Sequence, residues 1–250
     1  METFYLTDTG IVRTHNEDSV IIIENEDNAT LLAVADGMGG HRAGEVASSI
    51  AISSLSKRFS ESFFKLSKAE AVEWIHNCVN EINEQIFKHV KSNPETEGMG
   101  TTLVLSIVTD NYILFGNIGD SSGFVMKDNK LRKVTKDQTY VNTLVAAGKL
   151  TEEEAKNHPQ KNILINALGM NYPLKVDVFD CTMEIEGILL CSDGLTNMVT
   201  NEQIEKVLLE DSTIEEQVIK LIKKANNRGG NDNISIAYLK KNIEKGDELE

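Results

Sequence analysis

The stretch LLAVADGMGGHRAGEVAS, residues 31–48, runs from an apolar strand-like segment into Asp36, then into a glycine-rich turn, then into a helix-like segment. A run that stays apolar up to Asp36 and stops there sets a carboxylate at the end of a buried strand. The turn is G-x-G-G. It lacks the Lys-Ser/Thr of a P-loop and the G-x-G-x-x-G spacing of a dinucleotide turn, so neither of those phosphate cradles is present. A glycine directly after the aspartate leaves a backbone carbonyl able to point inward as an oxygen ligand, where a side chain would obstruct it.

Upstream of this stretch, SVIIIE and TLLAVAD flank the turn-like NEDN and read as an antiparallel pair leading to Asp36. Downstream, apolar residues recur at helical spacing over 43–58. In 67–92 the same spacing puts Ala71, Ile75, Val79, Ile82 and Ile86 on one face, and the helix stops near Pro94. Four short strand-like runs follow, GTTLVLSIVTD, NYILFGNIGD, SGFVMKDN and KLRKVTKD, joined by tight Asn, Asp and Gly turns that imply antiparallel neighbours. Residues 138–169 differ: a helical TYVNTLVAAG, a short helix TEEEAKNH with Thr151 as its cap, then Pro159 and QKNILINALG, an insertion between sheet strands. Strands return at PLKVDVFD and GILLCSDG, helices at 202–210 and 215–226, and a last strand at NISIAYLK.

Strands come in runs and helices in pairs. That pattern excludes a doubly wound parallel sheet and fits an α+β fold in which two mainly antiparallel sheets stack between two helix layers. The expected organisation is a single domain over 1–241 with an acidic tail over 242–250, whose last two residues are set aside as a cloning remnant.

Of the 250 residues, 40% are hydrophobic and 26% charged, a globular composition. No apolar run approaches the ~18 residues of a bilayer span and the acidic N-terminus has no signal-peptide layout, so a cytoplasmic location without membrane insertion is expected. The formal net charge of −14 argues against nucleic-acid binding and is compatible with a cation site. Cys78, Cys181 and Cys191 are odd in number and widely spaced, which suggests neither disulfides nor a thiolate zinc site and reads as three small buried hydrophobes.

Asp36, Asp120 and Asp193 each end an apolar run, and Asp232 directly precedes one. Any one of them alone reads as a turn residue or helix cap. The repeated context points instead to hard, oxygen-seeking cations such as Mg²⁺ or Mn²⁺, given the few histidines and unclustered cysteines. Arg13, Asn16, Glu17 and Asp18 crowd the start of another strand. A solvated turn is one reading of that knot; a guanidinium beside a metal cluster, paired with a phosphoryl group, is the other.

The motifs RTHNED, ADGMGGHRAGE, GMGTTL, GNIGDSS, CSDGLT and GGNDNIS, in this order over residues 4–239, resemble those of the metal-dependent serine/threonine protein phosphatases of type 2C, in particular the small single-domain bacterial enzymes. The resemblance implies an αββα sandwich with a binuclear metal centre at one end of the two sheets. It assigns Asp36 as the bridge between both metals, Asp193 and Asp232 as ligands of the first, and the carbonyl of Gly37 with waters as ligands of the second. Glu17 and Asp18 would act through bound waters, Asp120 with Asp193 would form a third metal site, and Arg13 would grip the substrate phosphate. The expected reaction is hydrolysis of phosphoserine and phosphothreonine in proteins by a water bridging two ions ~3.5–4 Å apart, reversing a membrane-anchored bacterial Ser/Thr kinase. A monomer is expected.

Three positions depart from, or leave open, what the resemblance implies. Many eukaryotic relatives carry a histidine where Met38 stands; His41 matches the bacterial motif and is a candidate proton donor, with loop packing as the competing role. The family usually has an arginine in place of Ser122 and a histidine-serine in place of Gln138-Thr139, neither a primary ligand position. The 138–169 insertion matches the flap beside the active site of the bacterial enzymes. Two rival functions remain at this point: a phosphoprotein-binding pseudophosphatase, and a hydrolase of small phosphoesters.

Overall fold

A computed structural model describes residues 1–39, 43–170 and 173–241. In chain order its first elements are β1 (Glu2–Asp8), β2 (Asp18–Glu24), β3 (Thr30–Met38), α1 (Ala43–Ser62) and α2 (Lys68–Ser92). After a 3-10 turn come β4 (Gly100–Thr101), β5 (Leu103–Val108), β6 (Ile113–Ile118), β7 (Ser122–Lys127) and β8 (Lys130–Lys133). The insertion carries α3 (Tyr140–Ala146) and α4 (Glu152–Lys156). The chain continues with β9 (Asp177–Cys181), β10 (Gly187–Cys191), α5 (Asp193–Thr196), α6 (Asn201–Leu208), α7 (Ile214–Asn226) and β11 (Ile234–Lys240).

One sheet has the order β1-β11-β10-β7-β8 and the other β2-β3-β5-β6-β9, with β4 paired to β3; the strand pairs are antiparallel. Strand alternation divides the apolar residues between layers. Leu31, Ala33 and Ala35 of β3 face α1 and α2, while Leu32 and Val34 face the other sheet and pack with Phe115, Ile188, Leu190 and Ala237. On the far side Leu189, Ile236 and Tyr238 bury the apolar stripes of α6 and α7. The result is the expected four layers, helices outside and two sheets within.

Local chemistry explains the helix starts. Ser67 with Glu70, Thr151 with Glu154 and Thr213 with Glu216 form capping boxes at α2, α4 and α7. Phe63 stacks on Phe59 at 5.0 Å and meets Trp74 edge-on at 5.1 Å, so an aromatic cluster locks α1 to α2 at the end remote from Asp36. Asp128 and Asn129, both at positive φ, make the two-residue turn between β7 and β8.

Two differences from the sequence reading have physical causes. Residues 2–8 form an edge strand that the reading did not assign; its signal is the short alternation of Phe4 and Leu6, which pack inward while Tyr5 stays exposed. The run PLKVDVFD was expected to be strand throughout, yet β9 begins at Asp177, because the backbone of Lys175 bonds the side chain of Asn166 instead of a ladder partner.

Backbone contact between loops draws the acidic segments together. A Cβ on Gly194 would stand 1.9 Å from the carbonyl oxygen of Asn233, so Gly194 lets the start of α5 lie directly on the loop before β11. Gly194→Ala is therefore expected to separate Asp193 from Asp232 and to cost about 1–3 kcal/mol in urea unfolding. An unchanged midpoint would show that the contact can relax without strain.

Candidate active site

The register of β2 on β3 sets Asp18 opposite Asp36. Both continue inward-facing rows, Asp36 after Leu32 and Val34, and Asp18 before Val20 and Ile22, so the layer between the sheets changes from apolar to acidic at this end. Ser192 extends the equivalent row of β10; its hydroxyl donates to Asp18 Oδ2 at 2.7 Å and accepts from the Ser235 amide at 2.9 Å. Asn233 fastens the loop holding Arg13 and Glu17: its Nδ2 donates to the carbonyls of Thr9 and His15 at 2.8 and 2.9 Å, and its Oδ1 accepts from the Glu17 amide at 2.8 Å. Arg13 in turn forms an ion pair with Asp232 at 2.8 Å.

Thr102 ties in the remaining carboxylate. Its Oγ1 accepts from the Asp36 amide at 3.0 Å and lies 2.8 Å from the hydroxyl of Ser121, next to Asp120, which is why GTTLVLSIV breaks into β4 and β5 instead of forming one strand. A cleft of about 470 Å³ results, lined by Arg13, Glu17, Asp36, Gly37, Asp120, Asp193 and Asp232. Asp18 lies buried behind that lining. His41 and the 242–250 tail lie outside the described residues.

Crowding and burial act on these carboxyls together. Asp36 is held well above the usual carboxylate range by burial, then by repulsion from Asp18, Asp193, Asp120 and Asp232. Burial is also the main cause that raises Asp18 to about 7, opposed by hydrogen bonds from Ser192 and Ser235, and that raises Asp120 to about 7, aided by Asp193 and Asp137. Asp193 is raised by burial and by Asp232, and offset in part by hydrogen bonds with Asn197 and with Asp36. Asp18 Oδ1 and Asp193 Oδ1 are buried with no hydrogen-bond partner.

Buried, mutually repelling, oxygen-only donors with open lone pairs suit hard divalent cations and no soft metal. The residues therefore fit the ions that the sequence suggested. Among the described residues, no three acidic, histidine or cysteine side chains stand close enough together to hold a metal ion by themselves. Backbone carbonyls and water would complete any coordination shell.

The structure adds a steric reason for the glycine after Asp36. A Cβ on Gly37 would stand 2.2 Å from the carbonyl oxygen of Gly44 and 2.5 Å from that of Glu17, so the residue is small because α1 and the Glu17 loop close on it. The sequence reading also did not single out the polar residues that hold the site: Thr102, Ser121, Ser192 and Asn233. Each lies within two residues of a strand end or a candidate carboxylate, which was the available signal.

The insertion reaches the cleft through Asn162, Ile163 and Leu164, with Met170 just beyond it. Gln138 anchors its base. The Gln138 Oε1 accepts from the Gly119 amide at 3.0 Å and from Asn166 Nδ2 at 2.6 Å, while Nε2 donates to Asp177 Oδ2 at 2.8 Å. Thr139 caps α3. Ser122 is buried opposite Cys191 and is not part of the cleft lining.

Cys78 and Cys191 are buried, with thiols pushed up to about 12 by burial; Cys181 is only half-buried, short of the burial expected of all three. A second hollow of about 280 Å³, lined by Asp27, Lys65 and Tyr112 among others, opens at the opposite end of β2 and β3 and gathers no comparable cluster.

Comparison with known proteins gives one consistent result. A family model described as protein phosphatase 2C matches residues 11–234. The serine/threonine phosphatase stp of Listeria welshimeri is 41% identical over 244 residues, covering 97% of both chains. The structure of the S. agalactiae serine/threonine phosphatase superposes with a TM-score of 0.90 at 37% identity, covering 95% of this chain and 98% of that one. The catalytic domain of the serine/threonine protein phosphatase PstP, solved in complex with 2 manganese ions, has a TM-score of 0.79 at 34% identity, covering 95% and 96%.

The raised carboxyls carry a sign for stability. Burial raises Asp18 and Asp120 to about 7 in the folded chain, against ~4 when unfolded, so between those values the folded chain binds more protons than the unfolded one. Their contribution is full at low pH and is lost as pH rises through about 7. In chelator, Tm is expected to fall between pH 5 and 8, and Mn²⁺ is expected to flatten that fall, as read by differential scanning fluorimetry. A Tm in chelator that holds steady over this range would contradict the buried, crowded placement.

Proposed function

The chain belongs to the protein phosphatase 2C family and is a metal-dependent phosphatase of phosphoserine and phosphothreonine in proteins, and from that premise we propose how its cleft residues divide the work. The observation that carries the reading is the convergence of Asp18, Asp36, Asp120, Asp193 and Asp232 at one end of the sheets, with Arg13 the one basic side chain among the described residues lining the cleft.

Asp36 would be shared by two cations, Mn²⁺ or Mg²⁺, with Asp193 and Asp232 holding the first and the Gly37 carbonyl the second. Asp120 with Asp193 offers a third. Glu17 and Asp18 act through water. When bound, the cations supply an acidified water as nucleophile and neutralise charge on the phosphoryl oxygens.

Arg13 positions the substrate. Asp232 takes one terminal nitrogen of its guanidinium, which leaves other N–H donors of the planar fork for two phosphate oxygens. His41, in the glycine-rich sequence after Asp36, is the candidate donor of a proton to the departing Ser or Thr oxygen. The whole is one catalytic domain over 1–241, acting as a monomer in the cytoplasm on phosphoproteins that include a membrane-anchored Ser/Thr kinase. No helix among the described residues is long and apolar enough to cross a membrane.

On phosphothreonine peptides, EDTA is expected to abolish turnover and Mn²⁺ to restore it. Asp193→Ala should lose at least about 100-fold in kcat, and wild-type rates in that variant would overturn the ligand assignment. Arg13→Ala should lose about 10–100-fold in kcat/KM, carried mainly by KM, with Arg13→Lys recovering only part because an ammonium lacks the fork. Cleavage of nucleotides but not phosphopeptides would assign the cleft to small phosphoesters instead.

A further inference from the structure

Eleven large apolar side chains are exposed among the described residues; of these Ile163 and Met170 line the cleft, Tyr140 and Ile165 lie in the flap, and Ile11 and Val12 directly precede Arg13. Scattered exposed apolar residues need no explanation, but a cluster around one cleft does. Ile11 and Val12 immediately precede Arg13 and are 68% and 62% exposed, yet they are not on a loose loop: the amides of both donate to the carbonyl of Gly230, at 2.8 and 3.1 Å.

Ile163 and Met170, 47% and 54% exposed, line the same cleft as Arg13 and the carboxylates, and the Tyr140 amide donates to the Ile163 carbonyl at 2.8 Å. One apolar edge, at the flap, thus lines the cleft of Arg13, and a second, held to Gly230 by its backbone, directly precedes Arg13 in the chain.

We infer that these edges read the residues flanking the phosphorylated one, and that the preferred substrates are extended phosphoprotein segments with apolar side chains within two residues of the phosphoserine or phosphothreonine. This rests on the reading of the cleft as a phosphoprotein phosphatase. The lining supports the choice of occupant: Ile163 and Met170 lie in the cleft that holds Arg13, and Ile11 and Val12 directly precede Arg13 in the chain, so an apolar flank beside the phosphorylated residue removes their surface from water. The edges are continuous with the phosphate position, so they serve a ligand that extends beyond a phosphate group.

The test compares two phosphothreonine peptides of equal length and charge, one with Val and Leu at the two positions on each side of the phosphothreonine and one with Ser and Gln there. Wild type should favour the apolar peptide about fivefold or more in kcat/KM. Ile11→Ser with Val12→Ser, and separately Ile163→Ser with Met170→Ser, should each bring that ratio below about twofold; because the four side chains are exposed, both variants should keep the wild-type Tm.

Equal use of the two peptides by wild type, or an unchanged ratio in both variants, would overturn the inference. Hydrolysis of p-nitrophenyl phosphate with neither peptide cleaved would instead overturn the phosphoprotein reading beneath it. Sedimentation that shows a wild-type dimer dispersed by the serine variants, with peptide discrimination intact, would assign the edges to a second copy of the chain and also overturn the inference.

Discussion

Like charges buried at close range are the constraint around which this fold is arranged. Two carboxylates directly opposite across an antiparallel pair repel, and here Asp18 and Asp36 hold that relation at the end of a layer whose other members are Leu, Val, Ile and Phe. Three further aspartates add to the repulsion. Nothing about such a cluster favours folding; the rest of the molecule must hold it in place. The four-layer packing does so from behind, and a ring of neutral polar groups does so from the sides: Ser192 on Asp18, Thr102 on the backbone of Asp36, Asn197 on Asp193. Each of these is a hydrogen-bond partner that brings no charge of its own.

Much of this was legible in the sequence, because the layers follow from periodicity. The alternation of β3 and the helical spacing of α1 and α2 assign every apolar face to a partner, and the repeated placement of aspartate at strand ends marks one end of the sheets as acidic. The supporting residues were not legible. Asn233 reads as one more polar letter in GGNDNIS, and only the folded chain shows its amide reaching Thr9, His15 and Glu17 across more than two hundred residues of sequence. Pattern reports which face a residue takes; it does not report which distant backbone group that face meets. The edge strand β1 escaped for a related reason, since a seven-residue run with two inward apolar side chains carries little periodic signal.

The glycines show the same limit from another side. Gly37 invites an explanation in terms of its own carbonyl, which is local. The structural reason is external: the carbonyls of Gly44 and Glu17 leave no room for a Cβ, and Gly44 itself sits against the carbonyl carbon of Gly37. Glycine faces glycine where strand and helix backbones meet, a relation between residues seven apart that spacing alone does not reveal. That contact sets the height of α1 above the carboxylates and so the depth of the cleft.

The charge balance of the cleft links binding to chemistry. Five carboxylates and one guanidinium line it, and the guanidinium is already paired with Asp232. A phosphate monoester is a dianion at neutral pH, and at an effective dielectric of 20 each unit charge at 4 Å acts on it with about 8 kcal/mol. Arg13 alone cannot reverse the sign of that field. Divalent cations held by the carboxylates would reverse it, so on the proposed assignment the ions that supply the nucleophile would also make the cleft attractive to its substrate. On the proposed assignment this removes the apparent conflict between an acidic chain and a phosphate substrate: the acid groups would recruit the cations, and the cations with Arg13 would receive the phosphoryl group. The proposed apolar edges would add recognition that no charge in the cleft can provide.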